Sequence, residues 1–257
     1  LEFRRVLFRS LAMTTGWRDI WGYDPLIPRR YGEFTAWVQQ ADMMQIVSNG
    51  VRFRYHPLLK MLGCRYMIGP SGNGIVLTDL GDDIMPRATL VGQWVVEPER
   101  DRTFAILGKP GYDPRSLVVL ERDPKLTAGP DSTSLGTVRL TDASTDHLTF
   151  EADVRTAAIL VVTDNYANGW RVFSAEGSAS DAYEIIPANY TLRGVPLTAG
   201  YHSFRMVYRP VSFVVGCWLS LAGFIVWLAV AVALLRRRCT DIVTDRSHGD
   251  AESQVQT

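Results

Sequence analysis

Between two apolar runs the chain carries Asp164-Asn165-Tyr166-Ala167-Asn168-Gly169-Trp170-Arg171, a grouping whose residue types can serve two ends. An indole beside a carboxylate makes a platform for a sugar, with Trp170 stacking on a pyranose face while Asp164 accepts hydroxyls. The same octet also makes a turn. Asn168-Gly169 suits a bend with positive φ, and Trp170 would open the next strand and pack inward. The turn is the preferred reading.

A second grouping is Trp17-Arg18-Asp19-Ile20-Trp21-Gly22-Tyr23-Asp24-Pro25, followed by Arg29 and Arg30. Its carboxylates, indoles and guanidiniums can line a pocket for a charged or sugar ligand. They can equally form an ion-paired loop capping a helix that starts near Pro28, which is again the preferred reading. The candidate substrate-binding residues are therefore Asp19, Tyr23, Asp24, Arg29, Arg30, Asp164 and Trp170. Adjacent acids such as Asp82-Asp83 usually point to opposite sides and are solvated. Four scattered histidines (His56, His147, His202, His248) and three cysteines (Cys64, Cys217, Cys239) have no zinc-ligand spacing. A Walker loop, a dinucleotide turn, a nucleophile elbow and an HExxH helix are all missing from the sequence. No metal and no cofactor is expected. Asn189-Tyr190-Thr191 matches the glycosylation sequon, a short pattern that arises easily by chance.

The elements that must position these residues fall into two stretches. In Ile27–Gln40, Pro28 stands where a helix can start and Tyr31, Phe34, Trp37 and Val38 recur at three and four residues, which predicts a short amphipathic helix. A further turn or two of helix is expected over His56–Leu62. Cys64–Ile68 reads as a strand ended by Gly69-Pro70. From about Arg87 onward the pattern predicts strands only: residues 88–96, 116–121, 137–141, 147–154, 157–163, 170–174, 183–186, 190–195 and 202–208, each rich in branched or aromatic residues and bounded by turn formers. Leu148, Phe150, Ala152 and Val154 alternate with polar residues, as in a half-buried strand. Ala157–Val162 is apolar throughout, as a central strand covered on both faces would be. The expected fold class is α+β, mostly β. A mixed α/β segment (11–86) precedes an antiparallel β-sandwich-like domain (87–209).

The 27 basic and 27 acidic side chains cancel, and residues 11–209 carry 20 basic and 22 acidic groups. A nucleic-acid partner is excluded, since phosphate neutralisation needs a basic surplus on one face. The basic residues are 24 Arg against three Lys, a bias that follows simply from a GC-rich genome. A mean hydropathy of +0.01 is high for a soluble domain. It is concentrated in residues 211–235, VSFVVGCWLSLAGFIVWLAVAVALL, an uncharged run. As a helix this run is roughly 37 Å long, enough to cross a hydrocarbon core of about 30 Å. Arg236, Arg237 and Arg238 abut its far end and Arg209 its near end. The positive-inside bias therefore puts the C-terminus in the cytoplasm and residues 11–209 outside. The polar tail, 236–257, is expected to be disordered. The opening LEFRRVLFRS is what a common sequencing-adapter end encodes. Leu1–Ser10 are accordingly expected to be a translated artefact, with the native chain continuing upstream of Leu11.

Seven segments stand in order along the chain: RDIWGYDPLIPRRYGEF (18–34), HPLLKMLGCRYMI (56–68), MPRATLVGQWVV (85–96), YDPRSLVVLE (112–121), LVVTDNYANGWRV (160–172), IPANYTLRGVPLTAGYHSFRMVYRPVSF (186–213) and the apolar run. Together they resemble the C-terminal region of the YfhO family of bacterial polytopic membrane proteins, across essentially all of residues 11–235. The resemblance implies a parent with many membrane helices in a GT-C-like arrangement. Such a parent would be similar to glycosyltransferases that move sugars from polyprenyl-phosphate carriers onto cell-envelope polymers. The implied partners are the lipid bilayer and, through the N-terminal part, the carrier-linked sugar and the envelope glycopolymer. In such enzymes the catalytic carboxylate lies in an outer loop near the N-terminus. No catalytic residue carries over to this chain, which is expected to be non-catalytic in itself. Where the family pattern favours Tyr-Pro-Gly-Trp and an Asp-Gly hairpin turn, this chain has Ala167-Asn168-Gly169-Trp170 and Glu176-Gly177. The alternative is a membrane-anchored carbohydrate-binding or scaffolding module of the envelope without transferase activity.

Overall fold

A computed structural model describes residues 20, 27–47, 54–71, 74–129 and 134–253. Leu1–Ser10 and the candidates Asp19, Tyr23 and Asp24 lie outside the described residues. The chain divides into two compact units, one ending at Tyr208 and one starting at Arg209.

In the first unit, helix α1 (Arg29–Gln39) begins directly after Pro28, whose φ of −54° is already helical. It ends at Gln40, which turns left-handed and returns its N–H to the carbonyls of Ala36 and Trp37. Tyr31, Phe34, Thr35 and Val38 form its buried face, the three-and-four spacing legible in the sequence. In the one-turn helix α2 (Met43–Val47), Asp42 and Gln45 exchange side-chain and backbone hydrogen bonds reciprocally, as a capping box does. A 3-10 helix follows at Pro57–Leu62, capped by His56 Nδ1 accepting from the Leu58 N–H and closed by left-handed Gly63.

Among the described residues, strands β1 (Tyr66–Ser71) and β2 (Gly74–Asp79) pair only with each other. The sequence placed a stop at Gly69-Pro70, yet β1 runs through both. A proline is tolerated there because the strand has a partner on one side alone. The remaining strands are β3 (Ala88–Val91), β4 (Gln93–Val96), β5 (Leu117–Leu120), β6 (Gly136–Ala143), β7 (His147–Val154), β8 (Ala158–Asn165), β9 (Trp170–Ser174), β10 (Ile186–Ala188), β11 (Leu192–Leu197) and β12 (Gly200–Tyr208). They form a six-stranded sheet in the order β3-β8-β11-β10-β5-β4 and a four-stranded sheet in the order β6-β7-β12-β9.

The protein is thus mostly β, as expected, with departures: of the expected strand 183–186 only Ile186 is in a strand, β10. Residues 88–96 read as one strand but are two, broken at Gly92 and placed at opposite edges of the six-stranded sheet. A Cβ on Gly92 would meet the Leu135 side chain at 2.7 Å, so the break also admits a close approach. Helices were expected to end before Arg87, yet α3 (Arg100–Leu107) lies between β4 and β5. Those two strands pair in parallel, an exception to the antiparallel expectation. A parallel pair needs a crossover and α3 supplies it. Its charged Arg-Asp-Arg start and meagre apolar face (Phe104 and Leu107, with Thr103) hid it from the periodicity.

Strand β8 explains the layering. Ala158, Leu160 and Val162 face a cluster shared with Leu148, Phe150, Phe204 and Met206 of the four-stranded sheet. Ile159 and Val161 face the opposite cluster, shared with Phe34 of α1, Met61 of the 3-10 helix and Val118 of β5. Each buried large aliphatic contributes about 1.5–3 kcal/mol of transfer free energy, and a strand flanked on both faces has no position left for a polar residue. The uniform apolarity of 157–162 is the sequence record of that placement.

In the second unit, α4 (Val211–Ser253) contains a 24-residue segment, Val211–Leu234, with mean hydropathy 2.3 and no buried residue. It is long and apolar enough to span a membrane. The helix continues past Arg236-Arg237-Arg238 to Ser253, where composition alone predicted disorder. Once nucleated by the apolar segment, helix propagation costs little per residue.

Candidate functional site

The turn from β10 to β11 is built by two left-handed residues, Asn189 (φ 46°) and Tyr190 (φ 69°). Asn189 is fully buried. Its Oδ1 accepts from the Val119 N–H at 2.8 Å and from the Tyr112 hydroxyl at 2.9 Å, while its own N–H donates to the Val119 carbonyl at 2.7 Å. The sequon at 189–191 is therefore a structural clip, inaccessible to a glycosylating enzyme in the folded chain.

So fixed, Tyr190 projects its ring against α1 and α3. Phe104 meets it edge-on at 4.8 Å and stacks on Trp37 at 4.7 Å. The Tyr190 hydroxyl donates to Glu33 Oε2. Glu33 also accepts from Arg29 at 2.8 Å and lies 3.9 Å from Arg100. Arg30 pairs with Glu121 at 2.6 Å, donates to the Tyr190 carbonyl at 3.3 Å, and lies over the rings of Tyr190 (5.2 Å) and Tyr166 (5.6 Å). Arg29, Arg30, Glu33, Glu99, Arg100, Asp101 and Tyr190 line a shallow, open concavity of about 420 Å³. Three guanidiniums and three carboxylates alternate around one aromatic wall. That balance does not suit a lone anion; the lining charges are themselves paired, Arg100 with Asp101 and Glu99 with Arg102 each at 2.9 Å, so a hydroxyl-rich, uncharged group would use the hydrogen-bonding positions those pairs leave over.

Burial pushes Glu33 up, but the Tyr190 hydroxyl and the charges of Arg29 and Arg100 outweigh it and hold the carboxyl below its ordinary 4.5. Burial and the neighbouring Glu33 raise the Tyr190 hydroxyl to about 12. The depressed carboxyl contributes stability that is complete above pH 4.5 and is lost as pH falls through its folded-state value. Acid melts of the whole chain are expected to show this loss and Glu33→Gln to flatten it; identical acid limbs in both proteins would contradict the assignment.

No family model, characterised protein or solved structure matches the chain.

The octet 164–171 forms a second node. Asp164 is held by Arg87 through two hydrogen bonds, 3.0 and 2.7 Å, and lies 3.9 Å from Arg193. Arg193 is only 4% exposed, donates from Nε to the Asn165 carbonyl at 2.8 Å, and sits 3.7 Å above the Trp170 ring. Burial lowers its pKa to about 10, with Asp164 opposing the shift. The indole face that would receive a pyranose is covered by a guanidinium and the carboxylate is already doubly bonded, so the residues here lock to one another. The turn itself is present, with the Trp170 N–H donating to Ala167 at 3.3 Å. Neither Asn168 nor Gly169 has a positive φ, which corrects the expected geometry. A primed turn is demanded where two paired strands reverse, whereas β8 and β9 belong to different sheets.

Of the described candidates, Arg29 and Arg30 line the concavity, Arg30 reaches Tyr166 of the octet, and Asp164 and Trp170 are joined through Arg193. Glu33, Arg100, Tyr190 and Arg193 were not singled out in the sequence. Arg29 and Glu33 carried a signal, the i,i+4 spacing of a helical ion pair; the others meet only through the fold. Asp82 and Asp83 diverge as expected, to Arg65 (2.8 Å) and Arg115 (2.5 Å). Among the described residues no three His, Cys, Asp or Glu side chains are grouped to hold a metal.

Proposed function

We propose that the chain is the outer, membrane-tethered portion of a YfhO-like protein of the bacterial cell envelope. In this reading it supports, without catalysing, the transfer of sugars from polyprenyl-phosphate carriers to envelope polymers. The two larger sheets form a β-sandwich-like domain outside the cytoplasmic membrane, α4 is its last span, and the C-terminus is cytoplasmic. The observation that carries the reading is convergence. Arg30 and Glu33 belong to the first of the resembling segments and Tyr190 to the sixth, and they line one concavity, with Tyr166 of the fifth lying against Arg30 beside it. Segments more than 130 residues apart along the chain thus supply one polar surface whose alternating donors and acceptors suit sugar hydroxyls.

The test uses the gene with its upstream reading frame intact. Sugar transfer from a polyprenyl-phosphate donor is followed in membranes carrying Arg30→Ala or Glu33→Gln, at matched protein levels. Losses of about tenfold are expected where ligand hydrogen bonds to charged groups are removed. Full transfer after removal of residues 88–209 would overturn any part for this unit.

A further inference from the structure

We propose that His147 is a proton-operated clasp on the β6–β7 hairpin: it closes while the ring carries two protons and releases Asp142 toward Arg205 when the ring keeps only one. The clasp needs neither a membrane nor a ligand.

It begins with an irregularity in the pairing. β6 and β7 are in register from Gly136 to Leu140, and the register then shifts between Leu140 and Asp142, with Thr141 the extra residue. Such a bulge re-aims the side chains beyond it. Here it sets Asp142 opposite Thr149, on the outward side of β7 that also carries His147. The turn is then closed by the Ser144 N–H, which donates to the His147 carbonyl at 2.8 Å.

His147 consequently lies between two carboxylates. Its Nδ1 is 2.8 Å from Asp146 Oδ1, and its Nε2 is 3.0 Å from Asp142 Oδ2. An ionised carboxylate only accepts, so each contact needs an N–H on the ring; the imidazolium has two and the neutral imidazole one. With a single proton, one nitrogen turns its lone pair toward a carboxylate and that contact becomes repulsive. Asp146 does not escape by protonating, because its carboxyl is held below the ordinary value, first of all by the hydrogen bond from His147.

The released carboxylate has a second partner in place. Asp142 Oδ2, the oxygen that meets His147, lies 3.9 Å from Arg205 Nη2, within reach of an ion pair but beyond a hydrogen bond. Arg205 stands on β12 opposite the same Thr149. The other charges on this side of the sheet are engaged elsewhere. Glu151 is paired with Arg139 at 2.8 Å. Arg171, next to His147 across Val207, donates to the carbonyls of Asn168 and Trp170. One carboxylate thus has two arrangements that differ by a single proton on an imidazole, the side chain whose ordinary charge change falls between about pH 5 and 8.

Two backbone hydrogen bonds flank the clasp and report on it, Ser144 N–H to the His147 carbonyl and Tyr208 N–H to the Asp146 carbonyl at 2.7 Å. The full chain, labelled with nitrogen-15 in detergent micelles, is followed by NMR from about pH 5 upward until the His147 ring has lost its second proton. Ring-nitrogen shifts, assigned by their absence in His147→Gln, count the protons. Amide exchange corrected for intrinsic rates reads the protection. Loss of the second proton is expected to lower protection at Ser144 and Tyr208 by about tenfold, as for a hydrogen bond to a charged group, with Ala152 in the middle of β7 unchanged. In Asp142→Asn the amide can turn over to meet either state of the ring, so the pH dependence should vanish. If the ring loses its second proton and both amides keep their protection, the clasp does not exist. A ring with one proton and full protection at about pH 5 overturns it as well, and so does the same pH dependence in His147→Gln.

Discussion

Asn189→Ala is expected to destabilise the first unit by about 3 kcal/mol, enough to remove a large share of a domain's net stability. The pairing of β10 with β5 consists of a single backbone rung, Ala188 opposite Leu120. Past that point the chain turns away, and the Asn189 side-chain amide takes the place of the missing strand by accepting the Val119 N–H, while the Asn189 backbone N–H donates back to the Val119 carbonyl. Alanine leaves that buried N–H without an acceptor, a cost of about 1–3 kcal/mol, and adds the strain of a left-handed backbone, about 1 kcal/mol. Asn189→Gly separates the two contributions, for glycine adopts the left-handed conformation freely but still loses the rung. It should fall between the native chain and Asn189→Ala. Tyr112→Phe removes a hydrogen bond whose donor also reaches the Leu117 carbonyl, so its cost should be about 1 kcal/mol. Denaturant unfolding of the whole chain in detergent, followed by tryptophan fluorescence, measures all three. Should Asn189→Ala lie within about 0.5 kcal/mol of the native chain, the amide is not holding the two strands together.

What could be read in advance divides along physical lines. Helix α1 was legible because one face buries Tyr31, Phe34 and Val38 while the other meets water, and that contrast is written as a period. Strand β8 was legible for the opposite reason, burial on both sides. Helix α3 was not, since a crossover lying on a sheet buries only Phe104 and Leu107 with Thr103 and spends its remaining surface on charge. Strand β2 and the continuation of β1 through Pro70 were missed because propensity counts proline as a stop, whereas an unpaired edge does not need its N–H. The concavity was half visible. Arg29 and Arg30 stood out as charges in a suspected cluster, but the residue that organises them, Tyr190, sits inside what reads as a glycosylation sequon. Its orientation depends on two consecutive left-handed residues, which side-chain composition does not encode strongly. His202 was read as one lone histidine among four. It is fully buried, with Tyr183 on Nδ1 and the Thr198 carbonyl on Nε2, satisfied without any ligand.

The node around Asp164 gives the sharpest separation between a structural and a binding part for the octet, because the two assign opposite consequences to one substitution. Two guanidiniums share this carboxylate, Arg87 through two short hydrogen bonds and the buried Arg193 at 3.9 Å. Asp164→Asn leaves both cations facing an uncharged amide, and stranding a buried charge costs several kcal/mol; with Asp164 itself partly open to water, about 2–3 kcal/mol is expected. Arg193→Met should behave differently. It relieves the desolvation that already depresses the Arg193 pKa to about 10, keeps an unbranched stem against Trp170, and leaves the Arg87–Asp164 pair intact. A change within about 1 kcal/mol of the native chain is expected, because the relieved desolvation offsets the Nε hydrogen bond to the Asn165 carbonyl that methionine cannot make. In the Asp164→Asn, Arg193→Met double variant the uncompensated buried cation is gone, so the loss should be smaller than for Asp164→Asn alone by about 1 kcal/mol or more. Additive costs would mean that Asp164 and Arg193 do not act on each other. Had Asp164 and Trp170 been a sugar platform, Asp164→Asn would instead abolish binding with little change in stability. The same set of melts, read beside sugar titrations, decides between an ion-paired crossover that fixes two sheets and a ligand site in the same eight residues.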